Sequence, residues 1–485
     1  MTEEHLSISP IEDFESKIFV MIFIYIMVFS SNFLLDIISS WIGGPEFVGV
    51  IKLIKRWGII IATILQLGIV STLPKFIAEN KSGNYFKISF FLLTTESIFL
   101  IILGILLYYI IPYAIFIPVE YGLIFASAQI FHGILYAFSR GQEKIKSMFI
   151  LQFSLVVIRL IFFTIFLIFK LETFFNIILS FAIIPIISLL MCIPFLNIFE
   201  FIKNKNKQNN KISFIFFIKF SAPIYLSSIL AIFIAQLDTI FLTFFFPLYE
   251  IGLYLVGVSL IGMLNIINNS INVLLLPKVS KYNSNKENII DLIKKSINFL
   301  LILYIPLMLI FLIVPDVIIN ILYGPNYTEL TFNTIKILIF SALFSQISNI
   351  LIEAIIGLNK PKYRLISYIL SFFIKFGLIY LFIIFFYIYG LIFGVFFSQI
   401  IEFIIIFYLF KKTLKFQFND DKIYIKNKSI IFWSSLFSLT IILFSISWFI
   451  VNIYLRFYFL LFGIILILII YFITGKIKFI LKLIK

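Results

Sequence analysis

Long apolar runs fill the chain, and short groups of polar residues, prolines and glycines interrupt them. A helix needs roughly 20 predominantly apolar residues to cross about 30 Å of hydrocarbon. Runs of this length predict fourteen membrane spans, at residues 18–40, 47–71, 88–111, 118–138, 148–169, 172–196, 213–245, 250–276, 297–321, 329–357, 365–386, 389–410, 429–451 and 456–474. The residues before the first run are acidic, so we interpret that run as a retained helix and not as a signal peptide. We therefore expect an all-α polytopic membrane protein.

The composition excludes a soluble globular protein. Of 485 residues, 62% are hydrophobic and only 13% are charged, whereas soluble domains are about half apolar and about a quarter charged. The chain has one cysteine and two histidines, which excludes a disulfide framework and a cysteine-based metal cluster. It has no glycine-rich loop that ends in Gly-Lys-Ser/Thr, the signature of a nucleotide-binding loop. We expect neither a metal site nor a cofactor.

The basic residues are distributed unequally between the two sides of the predicted membrane. Thirty of the 38 lysines and arginines fall in or beside one set of alternate connecting segments, and only Lys170 and Arg456 fall in the opposite set. Because cytoplasmic loops carry the excess of lysine and arginine, this distribution predicts a multi-pass protein of the cell membrane with both termini in the cytoplasm. It also accounts for most of the net charge of +15, so we do not expect a nucleic-acid partner.

The sequence contains an internal duplication. Leu-Pro-Lys at residues 73–75 recurs at 276–278, and Gly49 and Gly252 precede these tripeptides by the same interval. Asp36 and Asp238 precede the two glycines at similar distances. A repeat of six spans inserts both copies the same way round, so we expect two lobes related by a pseudo-two-fold axis along the membrane normal. We also expect each proline to stop its helix near the cytoplasmic surface.

The duplication predicts five segments along the chain. These are a cytoplasmic tail at 1–17, a first lobe of six helices at 18–212, a second lobe of six helices at 213–410, a cytoplasmic linker at 411–428, and two further helices with a basic tail at 429–485.

Several short motifs resemble those of the polysaccharide and lipid-linked oligosaccharide flippases (the O-antigen-type flippases) of the multidrug/oligosaccharidyl-lipid/polysaccharide exporter superfamily. They are Gly-Pro-Glu-Phe-Val-Gly at 44–49, Leu-Pro-Lys-Phe-Ile-Ala-Glu at 73–79, Gln-Leu-Asp-Thr-Ile at 236–240 and Leu-Tyr-Gly-Pro-Asn-Tyr at 322–327. The resemblance implies alternating access between two lobes and movement of an isoprenoid-phosphate-linked glycan from the cytoplasmic to the outer leaflet. It implies partners in the lipid bilayer, including other membrane proteins of glycan assembly.

Five basic residues inside spans are candidate binding groups for the phosphate or pyrophosphate of such a carrier: Lys52, Lys55, Arg56, Arg159 and Lys375. The first three share one helix face, because their spacing is i, i+3, i+4. A charge inside a span is costly, and arginine and lysine both bind phosphate oxygens. The alternative is internal ion pairing, in which Asp36 neutralises Lys52 and Asp238 pairs with Lys336 or Lys375.

Two further sets of polar residues lie inside spans. Asp36 and Asp238 could each bind a coupling proton or sodium ion, or could act as counter-ions between helices. A stripe of four asparagines in the eighth span could contact sugar hydroxyls or serve helix packing; it consists of Asn265, Asn268, Asn269 and Asn272.

Two other functions remain open alternatives. A cation-coupled multidrug antiporter of the same superfamily would prefer carboxylates in its cavity, and the excess of cations disfavours that function. A membrane glycan polymerase or ligase would be expected to carry a large external loop, whereas the predicted outer connections span only a few residues. We therefore predict a transporter with no catalytic residues and not an enzyme.

Overall fold

The computed structural model describes residues 12–78, 83–110, 119–141, 145–168, 214–281, 286–358, 360–417, 440, 456 and 460–467. Within these ranges the secondary structure is helical, and no strand occurs. Twelve helices are delimited in this part of the chain: α1 Glu12–Leu65, α2 Ile69–Ala78, α3 Gly83–Ile110, α4 Val119–Gly141, α5 Ile145–Ile168, α6 Phe214–Phe245, α7 Leu248–Gly262, α8 Asn265–Lys281, α9 Lys286–Ile313, α10 Pro315–Tyr323, α11 Glu329–Gly357 and α12 Pro361–Gln417. Residues 440, 456 and 460–467 are also helical.

The helices confirm the predicted class, an all-α multi-pass membrane protein. Six described helices are long and apolar enough to cross a membrane, and the bent pair α7 and α8 makes a seventh. The predicted span at 172–196 lies outside the described residues. The spans at 429–451 and 456–474 are described only at 440, 456 and 460–467.

The two longest helices are each bent at a predicted outer connection. In α1 the backbone of Gly44 has φ 65°, a conformation that glycine adopts without steric cost, and Pro45 follows it. In α12 the bend falls at Tyr387, with φ 53°. Residues on the two sides of each bend contact each other, Asp36 with Lys52 in α1 and Phe382 with Phe397 in α12. Each helix therefore contains two of the predicted spans, which run in opposite directions.

The helices that carry the repeated Leu-Pro-Lys tripeptides both begin after a break. Residues 66–68 form a turn before α2, in which Leu67 and Gly68 have positive φ, and residues 263–264 form a turn before α8, where the axis bends by 47°. The expectation that proline stops each helix is wrong. Helix α2 continues past Pro74 to Ala78, and α8 continues past Pro277 to Lys281.

The chain forms two compact units, which we describe separately. The first unit comprises Met27–Gly252, and the second comprises Met1–Ile26 with Leu253–Lys485. In the first unit a core of α2, α3, α4 and α5 encloses fully buried residues such as Leu93, Ile134 and Phe138. In the second, the buried Tyr304 hydroxyl of α9 donates to the Ile339 carbonyl of α11 at 2.8 Å. The predicted division into six-helix lobes at residues 212 and 213 stays a prediction.

Candidate functional site

The candidate site lies in the first unit, where the second half of α1 packs along α6. Near one end of this contact the Tyr225 hydroxyl donates to the Ile64 carbonyl at 2.6 Å. Further along, the Trp57 indole Nε1 donates to the Thr243 hydroxyl at 3.4 Å. The two segments therefore run antiparallel, and residues 52–56 of α1 lie just beyond the Trp57 contact, toward Gly49.

The repeat-related glycines let the backbones meet at the other end of the contact. A Cβ on Gly49 would lie 2.8 Å from the Leu248 carbonyl oxygen and 3.1 Å from the Gly252 nitrogen. A Cβ on Gly252 would lie 1.9 Å from the Pro45 carbonyl oxygen, a separation that real atoms do not reach. Any larger residue at either position would push α1 and α7 apart.

Two of the three predicted cations share one carboxylate. Lys52 Nζ lies 3.2 Å from Asp36 Oδ2, and Lys55 Nζ lies 2.9 Å from Asp36 Oδ1. Asp36 and Lys52 are equally far from Gly44 along the chain, so the bend in α1 brings them to the same depth. The pairing of Asp36 with Lys52 is therefore present, and Lys55 joins it.

The third cation pairs with the second repeat-related carboxylate. Arg56 Nη1 lies 3.3 Å from Oδ2 of Asp238 and also donates to the Thr239 hydroxyl. The Asp238 Oδ1 accepts the Thr239 backbone N–H at 2.9 Å, which fixes the carboxylate. Within the first unit the cation that Asp238 contacts is Arg56, which was not among the partners expected for it, and its pairing with Lys336 or Lys375 stays a prediction.

These five groups, Asp36, Lys52, Lys55, Arg56 and Asp238, form what we call the cationic cluster. It holds three positive and two negative charges, so one positive charge is in excess. Lys52 and Asp238 are almost fully buried, whereas the side chain of Arg56 keeps 18% of its surface exposed. Among the described residues, Nε and Nη2 of Arg56 have no hydrogen-bond partner. An anion with several oxygens is the ligand that such a guanidinium prefers.

The other two predicted phosphate ligands lie elsewhere in the fold. Arg159 is on α5 of the first unit, and its side chain falls outside the described part of the chain. Lys375 is buried in α12 of the second unit, where its ammonium interacts electrostatically with Glu402 after the bend. Lys336 of α11 lines a separate cavity beside Arg456. A role for Arg159 and Lys375 in binding phosphate stays a prediction.

The four asparagines of α8 differ in exposure. Asn268 is 2% exposed and Asn272 is half-buried, whereas Asn265 and Asn269 are exposed. Asn265 accepts a hydrogen bond from the Gln346 amide of α11, a contact that spacing within α8 could not reveal. The amide oxygens of Asn268, Asn272 and Gln346 are buried and have no hydrogen-bond partner within the described ranges. The second unit therefore contains unused acceptors beside the break that precedes α8.

Comparison with known proteins gives a family and a fold. The family model described as a polysaccharide biosynthesis protein matches residues 47–331, more than half of the chain. No curated protein matches the sequence. A mutant of the MATE transporter VcmN from Vibrio cholerae matches with a TM-score of 0.61 at 16% identity and covers 83% of this chain and 97% of its own.

Two further solved structures show the same fold. A MATE transporter in the bent conformation has a TM-score of 0.61 at 14% identity, over 84% of this chain and 99% of its own. A MOP superfamily transporter from Pyrococcus furiosus, described as having a binding pocket of reverse polarity that suggests a different function, has a TM-score of 0.58 at 14% identity, over 83% of this chain and 96% of its own. At these identities the likeness shows the fold alone.

Proposed function

The chain belongs to the polysaccharide biosynthesis protein family, and from that premise we propose that it is a flippase for isoprenoid-(pyro)phosphate-linked glycans. Family and fold together make it a membrane transporter of the MOP superfamily and not an enzyme. The finer proposal concerns its cargo, which would move from the cytoplasmic to the outer leaflet by alternating access. We place it in the cell membrane with both termini in the cytoplasm, among other membrane proteins of glycan assembly.

The observation that carries this proposal is the excess positive charge of the cationic cluster. Three cations held beside only two carboxylates are costly in a low-dielectric site. A phosphate oxygen that reaches Nε and Nη2 of Arg56 would supply that counter-charge and would satisfy the unused donors. Charge-assisted hydrogen bonds of this kind are about twice as strong as neutral ones. The cluster therefore favours an anionic headgroup inside the membrane.

Charge exchange within the cluster suggests how an anion is bound and then released. Asp36 divides its two oxygens between Lys52 and Lys55, and Asp238 shares Arg56 with Thr239. A phosphate that approaches Arg56 competes with Asp238 for one guanidinium. When the anion leaves, the contact with Asp238 can form again. The Arg56 guanidinium therefore has a negatively charged partner both before and after the anion is released. Asp36 and Asp238 act here as counter-ions, and either could also bind a coupling proton or sodium ion.

The glycan portion of the cargo needs hydrogen-bonding groups, because its hydroxyls leave water when it enters the protein. Asn268, Asn272 and Gln346 offer buried amide oxygens without partners among the described residues. We assign the asparagines of α8, with Gln346, to contacts with sugar hydroxyls.

A multidrug antiporter is the alternative function, and the polarity of the cluster opposes it. A cationic drug would be repelled by a site with surplus positive charge, since like charges in a low-dielectric site destabilise each other. The transporter from Pyrococcus furiosus is a precedent in which pocket polarity is linked to a different function within one superfamily. The same reasoning supports an anionic cargo for this chain.

Transport by the purified full-length chain in liposomes separates the two functions. One set of vesicles contains a fluorescent oligosaccharide linked to isoprenoid pyrophosphate, whose flipping exposes the label to a membrane-impermeant quencher. A second set contains a fluorescent organic cation under a proton or sodium gradient. We expect the lipid-linked glycan to move and the cation to remain. Movement of the cation alone would refute the proposal and favour the antiporter.

A further inference from the structure

A cavity of about 340 Å³ lies in the second unit, and its lining includes none of the groups assigned above. Its lining residues come from the end of α9, the start of α10 and the first turns of α11, together with Arg456. It is lined by Leu312, Ile313, Pro315, Asp316, Glu329, Phe332, Asn333, Lys336 and Arg456. Its volume is near the lower end of the range for small-molecule sites. Because Glu329 is exposed, the cavity reaches the surface of the unit.

The cavity contains both signs of charge in equal number. Arg456 Nη1 lies 3.0 Å from Asp316 Oδ2, and both side chains are partly exposed at 21% and 27%. Lys336 and Glu329 add a second cation and a second carboxylate to the lining. A ligand that carries one positive and one negative charge would therefore find side chains of opposite charge for both. A ligand with a single charge would be attracted by two of the side chains and repelled by the other two.

The carboxylate of Asp316 has an unused acceptor. Its Oδ2 pairs with Arg456, but its Oδ1 is buried and has no hydrogen-bond partner within the part of the chain that the structure describes. A buried acceptor without a donor costs about 1–3 kcal/mol. An N–H donor on a bound ligand would remove that cost, and a primary ammonium supplies three such donors.

The length of α11 indicates where the cavity lies along the membrane normal. Its 29 residues extend about 43 Å at 1.5 Å per residue, close to the 40–45 Å of a bilayer with its headgroups. Glu329, at the start of the helix, then lies at the outer edge of one headgroup layer. Lys336 lies about 10 Å deeper along the axis, where headgroups meet hydrocarbon. The charged cavity is therefore at the depth of phospholipid headgroups.

We propose that this cavity binds a zwitterion that carries a phosphate and a primary ammonium, as the headgroup of phosphatidylethanolamine does. The phosphate lies between Lys336 and Arg456, and the ammonium donates to Asp316 Oδ1 and faces Glu329. Phosphatidylcholine carries the same charges, but its quaternary ammonium has no N–H to donate. Phosphatidylglycerol has the phosphate and lacks the cation. The site therefore selects phosphatidylethanolamine over phosphatidylcholine and phosphatidylglycerol.

Native mass spectrometry of the purified full-length protein tests this selectivity. The protein is supplied with equal amounts of phosphatidylethanolamine, phosphatidylcholine and phosphatidylglycerol of identical acyl chains, and the retained lipid is measured. We expect about fivefold or greater retention of phosphatidylethanolamine over the other two, the ratio that corresponds to one satisfied buried acceptor. Equal retention of phosphatidylethanolamine and phosphatidylcholine by the wild-type protein would overturn the proposal.

Two substitutions test the ammonium-binding side and the phosphate-binding side of the cavity separately. Asp316→Leu removes the acceptor oxygens to which the ammonium donates, and we expect the preference over phosphatidylcholine to disappear. Lys336→Gln leaves the Asp316–Arg456 pair intact, and we expect weaker retention of all three lipids. The control Asp291→Asn removes an exposed carboxylate whose partner is Lys295 on α9 and should leave the preference unchanged. Full ethanolamine preference in a folded Asp316→Leu protein would contradict the assignment.

A soluble competitor distinguishes a lipid from a free ligand of the same chemistry. Glycerophosphoethanolamine carries the headgroup without acyl chains. If it displaces the lipid, the cavity recognises the headgroup alone and accepts a soluble source. If it does not, while the wild-type preference for phosphatidylethanolamine persists, the acyl chains contribute and the source is the membrane.

Discussion

The Arg56 guanidinium of α1 lies 3.3 Å from the Asp238 carboxylate of α6, although 182 positions separate the two residues in the sequence. This contact combines the third cation of α1 with the carboxylate that the internal duplication relates to Asp36. Only Nη1 of Arg56 is used for it. The remaining donors, within the described structure, are available to an anion.

Removal of Asp36 should destabilise the protein. In Asp36→Asn the ammonium groups of Lys52 and Lys55 lose the carboxylate that they share, and Lys52 is only 4% exposed. Breaking a buried ion pair by removing one partner costs about 3–5 kcal/mol. We expect a loss at the lower end of this range in the free energy of unfolding, measured by denaturant titration in detergent.

An exposed ion pair provides the control for that measurement. Asp291 and Lys295 on α9 lie 2.9 Å apart with exposed fractions of 56% and 36%, and exposed pairs contribute about 0–1 kcal/mol. Asp291→Asn should therefore change stability little. The double substitution Asp36→Asn with Lys52→Met should recover part of the loss, because methionine needs no counter-charge. A fully stable Asp36→Asn protein would show that Asp36 is not the shared counter-ion.

Substitution of Gly252 should disturb the contact between α1 and α7. A Cβ at this position would lie 1.9 Å from the Pro45 carbonyl oxygen, so Gly252→Ala forces the backbones apart. Overpacking of this kind costs about 1–3 kcal/mol, and we expect a lower melting temperature for the purified protein.

Gly377 offers a matched control, because a Cβ there meets nothing within 4 Å. Gly377→Ala should leave stability unchanged or raise it by about 0.5–1 kcal/mol, since alanine favours a helix interior. If the two alanine variants melt at the same temperature, the close backbone contact at Gly252 does not hold α1 and α7 together.

The sequence predicted most of the described helices and two of their bends, but not the turns at 66–68 and 263–264, which interrupt predicted spans. Apolar runs predicted the spans, and the short polar connections around Gly44 and Tyr387 coincide with the bends in α1 and α12. The proline rule failed at Pro74 and Pro277, where the helices continue. Proline removes one backbone hydrogen bond, but a helix can continue beyond it when neighbouring helices support the backbone.

The partners of the charged residues were harder to predict. Asp36 and Lys52 were paired correctly because both lie equally far from the bend at Gly44. Asp238 was paired with lysines of later spans, because hydropathy gives the depth of a residue but not the helix that lies beside it. The contact between Asn265 and Gln346 was missed for the same reason, although Gln346 is a polar residue inside an apolar span.

The asparagines of α8 provide a prediction about the glycan. The Asn268 amide oxygen is buried without a partner in the described structure, so Asn268→Leu removes an unsatisfied acceptor and should not lower stability. If Asn268 contacts sugar, this variant should flip glycan-bearing carriers more slowly and bare isoprenoid phosphate at an unchanged rate. The liposome assay with both carriers measures the ratio of the two flipping rates. An unchanged ratio in a stable variant would assign Asn268 to helix packing instead.

Transport of the lipid-linked glycan by Arg56 variants is the most direct test of the cationic cluster. We expect Arg56→Ala to insert normally and to lower flipping at least about tenfold, because charge-assisted hydrogen bonds contribute about 1.5–3 kcal/mol. Arg56→Lys should retain an intermediate rate, since an ammonium keeps the charge but loses the planar fork. Arg364→Ala, a control arginine that stacks on Tyr368 of the second unit, should flip the cargo normally. Wild-type flipping by a correctly inserted Arg56→Ala protein would contradict the role of this cluster in carrying the phosphate.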